Sequence, residues 1–129
     1  MILVDTQIVI WLAVEPEKIS QGASETILEA RRGDGIAISD KTLWELAIVF
    51  AKGRIGDDLS LRDLLQGTER EFVVLPVNAA IAERSVQFRK SFPADPADRI
   101  IAATAIVYGL RLVTADAQIR ESGEVACIW

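Results

Sequence analysis

Ala94-Asp95-Pro96-Ala97-Asp98-Arg99-Ile100-Ile101-Ala102-Ala103-Thr104-Ala105 reads as the opening of a buried helix. Asp95 suits the N-cap, and Pro96 suits the first helical position, where its missing N–H leaves nothing unpaired. Behind them the residues are apolar almost all round as far as Tyr108, and a helix without a polar face is normally buried. Asp98 stands in the first turn, on the same face as Ala102 and Ala105. Small residues there let a neighbour approach closely, so a carboxylate is aimed at a crowded interior edge, where it needs a partner.

Working outward, short apolar runs alternate with helical patterns, which predicts an α/β fold with a parallel sheet covered on both faces. Met1-Ile2-Leu3-Val4 reads as a buried strand, followed by Asp5-Thr6 and a helix carrying Ile8, Val9, Trp11 and Leu12. Glu15-Pro16-Glu17 breaks that helix. A second helix is expected over 20–32, with Ile27, Leu28 and Ala30 inward. A strand over 36–38 and a helix capped by Ser39 and reaching about Lys52 come next, with Glu45 in the second turn among Leu43, Trp44, Leu46 and Ala47. A loop over 53–58, a helix over 59–69 and a strand over 72–75 follow. Asn78 should cap a helix to about Lys90, with Ile81, Val86 and Phe88 inward. After the central stretch, Leu110-Arg111-Leu112-Val113 forms a strand ending at Thr114-Ala115-Asp116. A short helix to Ser122 and a strand over 125–128 complete the pattern. No repeat, low-complexity segment or linker interrupts it, so the 129 residues are expected to form one domain.

Composition narrows the chemistry. The chain has no histidine and one cysteine, Cys127. That rules out a Ser–His–Asp triad, a Cys–His pair, His-ligated or Cys-rich zinc and an internal disulfide. Net charge is −5, which argues against holding nucleic acid by bulk electrostatics. Of the 14 basic residues ten are Arg, suited to localised phosphate contacts. No apolar run approaches the roughly 18 residues needed to span a bilayer. The N-terminus lacks a basic, secretory-type start, so a cytoplasmic protein is expected.

Four acids then share a pattern. Asp5 and Asp116 directly follow buried strands. Glu45 and Asp98 lie in the second and first turn, respectively, of helices that open near the same end of the sheet. In a doubly covered parallel sheet such points converge on one crevice beyond the carboxyl ends of the strands. Carboxylates gathered there are tolerated around a divalent cation, and oxygen-only ligands suit Mg²⁺ or Mn²⁺. Such a site supports phosphodiester hydrolysis by a metal-activated water, leaving a 5′-phosphate and a 3′-hydroxyl. Asp5 also fits a plain N-cap and Glu45 a surface glutamate. Asp95 is expected to cap rather than ligate. Arg99 is a candidate for holding a substrate phosphate or pairing with a site carboxylate. Arg54, near a loop, is a candidate substrate contact, and Arg31 and Arg32 read as solvated charges. Trp11, Trp44 and Trp129 read as packing residues, with Trp11 partly exposed, and Cys127 as inert core.

Val4-Asp5-Thr6-Gln7-Ile8-Val9-Ile10-Trp11-Leu12, Ile38-Ser39-Asp40-Lys41-Thr42-Leu43-Trp44-Glu45-Leu46-Ala47, the stretch from Asp95 to Ala105 and Val113-Thr114-Ala115-Asp116 together resemble the PIN-domain family, in its VapC-type toxin branch. The resemblance spans essentially the whole chain in motif order. It implies a three-layer α/β/α sandwich with a central, mostly parallel sheet of four to five strands. It implies an Mg²⁺- or Mn²⁺-dependent endoribonuclease with a catalytic, metal-holding quartet on Asp5, Glu45, Asp98 and Asp116, flanked by Thr6 and Thr114. It further implies an RNA substrate, a homodimer, and a cognate antitoxin that covers the site in a toxin–antitoxin hetero-oligomer. Many relatives carry histidine where this chain has Gln7. Alternatives on the residues alone are a housekeeping RNA-processing nuclease, a non-catalytic binding protein and a phosphoacceptor signalling domain. The last would need an acidic pair near the first strand and a lysine near the last, and neither is present.

Overall fold

The computed structural model describes residues 1–53 and 58–129. Five parallel strands form one sheet: β1 (Ile2–Val4), β2 (Ile36–Ser39), β3 (Val73–Leu75), β4 (Leu112–Val113) and β5 (Cys127–Ile128), in the order β3-β2-β1-β4-β5. Seven α-helices are found among the described residues: α1 (Thr6–Val14), α2 (Gln21–Arg32), α3 (Asp40–Ala51), α4 (Leu61–Glu71), α5 (Ala79–Ser85), α6 (Pro96–Tyr108) and α7 (Ala117–Glu121). This is the expected α/β/α sandwich.

Alternation along the strands builds a core on each face of the sheet. Ile2, Val4, Ile36, Ile38 and Val113 point to one side, where they meet Ile8, Ile27 and Leu46 from α1, α2 and α3. Leu3, Ala37 and Leu112 point to the other, where they meet Ile81, Ile101, Ala102, Ala105 and Ile119 from α5, α6 and α7. Both faces of the central strands are therefore buried, which is why these segments read as unbroken apolar runs. The alanines of α6 keep that helix close against the sheet. Its end is set by Gly109, whose φ of 65° is the left-handed conformation that a helix C-terminus favours and a β-carbon resists.

Several expectations on local packing are corrected. α5 stops at Ser85 rather than near Lys90, because the chain must turn there to stack Phe88 on Phe92, with ring centroids 4.1 Å apart. Ending the helix early leaves Val86 78% exposed instead of inward. Leu28 is 50% exposed, since the buried stripe of α2 runs through Ala23 and Ile27. Trp44 is 55% exposed on α3 rather than packed, with the Lys41 ammonium 3.8 Å from its ring centroid. Arg31 is not merely solvated: it pairs with Glu71 Oε1 at 2.8 Å, tying α2 to α4. Trp11 and Trp129 pack on each other, as expected, with ring centroids 6.1 Å apart. β5 is shorter than the 125–128 expected. Arg54 lies outside the described residues. No helix among the described residues is long and apolar enough to cross a membrane.

Candidate active site

The strand order places a topological switch at β1. The chain moves outward from β1 to β2 and β3 on one side, and to β4 and β5 on the other. Ligand sites form beyond the carboxyl ends of the strands at such a point. Val4 pairs in register with Val113, so Asp5 and Thr114, the next residues of each chain segment, leave the sheet side by side. The Asp5 N–H donates to the Val113 carbonyl at 3.2 Å.

Four helix N-termini open at the same end. Asp5 caps α1, its Oδ1 accepting from the Ile8 N–H at 3.1 Å. Asp116 caps α7, its Oδ1 accepting from the Ile119 N–H at 3.0 Å. α3 starts directly after β2 and carries Glu45. α6 runs back against the sheet before feeding β4, so its first turn, with Asp98, comes to the same end. All four acids line one open crevice of about 390 Å³, walled by Ile10, Val49 and Ile101. The positive ends of the helix dipoles face it.

Hydroxyl groups hold the acids in place. The Thr6 hydroxyl donates to Glu45 Oε1 at 2.6 Å and lies 3.1 Å from the hydroxyl of Thr42. Thr114 accepts from the Asp116 N–H at 3.1 Å, and its hydroxyl favours the ionised form of Asp5. Thr42 was not singled out by the sequence reading, although it is three residues from Glu45 and so on the same helix face.

Among the described residues the site is anionic, with Lys41 the one positive charge that acts on its acids, at Glu45. Burial raises the Asp5 pKa to about 6, against the hydrogen bonds from Thr114 and Ile8 and with help from Asp116 and Glu45. Burial also pushes Asp98 up to about 7, aided by the charges of Asp95, Glu45, Asp116 and Asp5. Glu45 is raised by burial, with Thr6 and Lys41 opposing. None of the four acids takes part in an ion pair among the described residues. No group of three or more His, Cys, Asp or Glu side chains among those residues is already arranged to hold a metal ion. Like charges gathered in one crevice repel, and a cation between them would remove that repulsion. An all-oxygen donor set with uncompensated charge therefore fits a hard divalent cation.

The other candidates fall elsewhere. Asp95 caps α6 as expected, accepting from the Ala97 N–H at 3.3 Å. Arg99 does not face the crevice. Its Nε donates to the Pro93 carbonyl at 2.8 Å and its Nη2 to the Phe92 carbonyl at 3.3 Å, so it braces the segment leading into α6. Those carbonyls come close only after folding, which is why the arginine reads as a phosphate ligand in the sequence. The Cys127 thiol is half-buried and its pKa is raised by burial, consistent with inert packing.

Known proteins resemble this chain in sequence and in fold. The profile of the PIN domain matches residues 2–124. The chain is 34% identical over 119 residues to "Ribonuclease VapC22" of Mycobacterium tuberculosis, covering 92% of this chain and 89% of that protein. Among solved structures, a toxin–antitoxin complex from Klebsiella pneumoniae matches with a TM-score of 0.63 and 25% identity, over 90% of this chain and 87% of the other. DNA-bound VapBC from Salmonella typhimurium has the same fold, with a TM-score of 0.73 at 22% identity, over 98% and 97% of the two chains.

Proposed function

The chain belongs to the PIN-domain family, and from that membership and the crevice we propose that it is a metal-dependent endoribonuclease, the toxin of a toxin–antitoxin pair. The observation that carries this reading is the convergence of Asp5, Glu45, Asp98 and Asp116 on one crevice, with no ion pair to them among the described residues. The substrate is RNA, as the name of the Mycobacterium tuberculosis relative states for that protein. The partner is a cognate antitoxin, as in the Klebsiella pneumoniae toxin–antitoxin complex, and family membership further implies a homodimer. The whole of residues 1–129 acts as one catalytic domain in the cytoplasm.

The four carboxylates would hold Mg²⁺, with Mn²⁺ as a substitute. Bound there, the ion supplies a Lewis acid for a phosphate oxygen and lowers the pKa of a water. The chain's own contribution is placement. Backbone N–H groups at the starts of α1 and α7 fix one oxygen each of Asp5 and Asp116. Thr6 fixes one oxygen of Glu45, and the other oxygen is left to turn toward the crevice. Ile10, Val49 and Ile101 line part of the site with apolar surface, which lowers the local polarity beside the carboxylates.

Cleavage of a total-RNA pool by antitoxin-free protein tests this reading. Mg²⁺ or Mn²⁺ should yield discrete fragments that EDTA and the Asp98→Asn variant abolish. Equal cleavage by that variant, or cleavage indifferent to EDTA, would refute the assignment.

A further inference from the structure

Beside the acidic crevice lies a second recess of about 290 Å³, and the two share Gln7, Ile10 and Val49 as a common wall. The two adjoin along that wall. Trp11, Glu15 and Lys18 complete the second recess. Gln7, Ile10 and Trp11 stand three and four residues apart on α1, so they form a single stripe leading away from the Asp5 cap. Glu15 ends that helix, and eight residues of helix from Gln7 span roughly 12 Å.

The lining has a particular chemistry. An indole and two aliphatic side chains supply apolar walls, while an amide, a carboxylate and an ammonium supply hydrogen-bonding groups of three different kinds. An anion site would not include Glu15, and a purely apolar dock would not include three polar groups. A flat ring with polar edges satisfies all of them. Trp11 packs against Trp129, the rings tilted by 46° with their centroids 6.1 Å apart, which restrains its indole. The Lys18 ammonium lies 5.9 Å from that ring's centroid and 2.6 Å from Glu15 Oε2. Both partners of this ion pair are about half exposed, so little stability is lost when it opens.

We propose that this recess is a base-reading subsite, in which a guanine neighbouring the scissile phosphate stacks on Trp11 and is recognised by Glu15. This rests on the ribonuclease reading above. RNA is read mainly through unstacked bases that lie on aromatic side chains and expose their Watson–Crick edges. Guanine offers two parallel donors on that edge, N1–H and the N2 amine, which match the two oxygens of one carboxylate. Adenine and cytosine place an acceptor beside their single donor group, and uracil flanks its one N–H with two carbonyls. Each of those would bring a lone pair against Glu15. Lys18, released from Glu15, is then free to meet the flanking phosphate. The adjoining Gln7 amide, able both to donate and to accept, contacts the nucleotide between the two recesses.

The test separates this subsite from the nuclease itself. In the first arm the Trp11 indole N–H resonance is followed by NMR during titration with guanosine, adenosine, cytidine and uridine 5′-monophosphates. The guanosine nucleotide should move it at about tenfold lower concentration than the others, a preference of the size one bidentate pair provides. Glu15→Gln, which leaves the backbone cap of α1 intact, should erase that preference. Equal response to all four nucleotides, no response to any, or a preference retained in Glu15→Gln would overturn the proposal. So would a resonance that only the antitoxin moves. In the second arm the ends of RNA fragments are sequenced. Guanine should be enriched at one fixed position beside the cut, and Glu15→Gln should lose the enrichment. Cutting without that enrichment overturns the subsite and leaves the nuclease standing. Guanosine-selective binding without any cutting keeps the subsite and overturns the nuclease reading.

Discussion

Removing the charge of Asp98 should stabilise the metal-free protein at neutral and alkaline pH. Asp98 is pushed from an ordinary value of 3.8 up to about 7, first by burial and then by the neighbouring carboxylates. The folded state therefore keeps a proton that the unfolded chain has already released. Stability is unaffected by this group below about pH 4, declines as pH rises through the window up to about 7, and stays reduced above it. Three pKa units correspond to ~4 kcal/mol for a fully buried group. The Asp98 side chain is partly open to the crevice, so solvent screening reduces this to ~1–2 kcal/mol. Asn keeps the shape and carries no charge. In EDTA at pH 8, Asp98→Asn should melt about 3–10 °C above the wild type. The gap should close by pH 4, and Mg²⁺ should raise the wild-type Tm more than that of the variant. Thermal melts followed by circular dichroism across pH 4–8 provide the measurement. A variant less stable than the wild type at pH 8, or a gap independent of pH, would refute the electrostatic argument.

Thr6→Val removes the 2.6 Å hydrogen bond to Glu45; it should cost ~1–2 kcal/mol in urea unfolding and lower RNA cleavage by more than about tenfold, because Glu45 loses its anchor. Gly109→Ala forces a β-carbon into a φ of 65° at the end of α6; a loss of about 1 kcal/mol in urea unfolding is expected, with cleavage per folded molecule unchanged. Phe92→Ala removes the ring stacked on Phe88 from the core beside α6; differential scanning calorimetry should show a loss of ~3–5 kcal/mol, while the main-chain carbonyls that Arg99 bonds are kept.

Much of the site was legible because its residues are tied to local signals. Asp5 and Asp116 each follow a buried strand and begin a helix, a pattern visible in a handful of residues. Asp95 before Pro96 marks its own cap. The alanine face of α6 announces a close approach before the neighbour is known. Residues whose roles depend on distant partners were read less well. Arg99 has the chemistry of a phosphate ligand, yet it is claimed by two backbone carbonyls six and seven residues away. Thr42 contributes through Thr6, 36 residues distant. Val86 follows a helical period that the structure abandons one residue earlier, when Phe88 is drawn onto Phe92.

By itself the sequence determined the helices and strands, the parallel sheet covered on both faces, the exclusion of histidine and thiol chemistry, and the acids available for a site. These follow from short-range sterics, capping and hydrophobic period, which act over a few residues. Only the tertiary structure decided the order β3-β2-β1-β4-β5, the gathering of four carboxylates carried by four helix N-terminal segments, and the placing of that crevice beside the recess at Trp11. Burial also decided the electrostatics. A carboxyl reaches a pKa of about 7 only when packing strips its water and sets other charges beside it, and no stretch of sequence contains that environment.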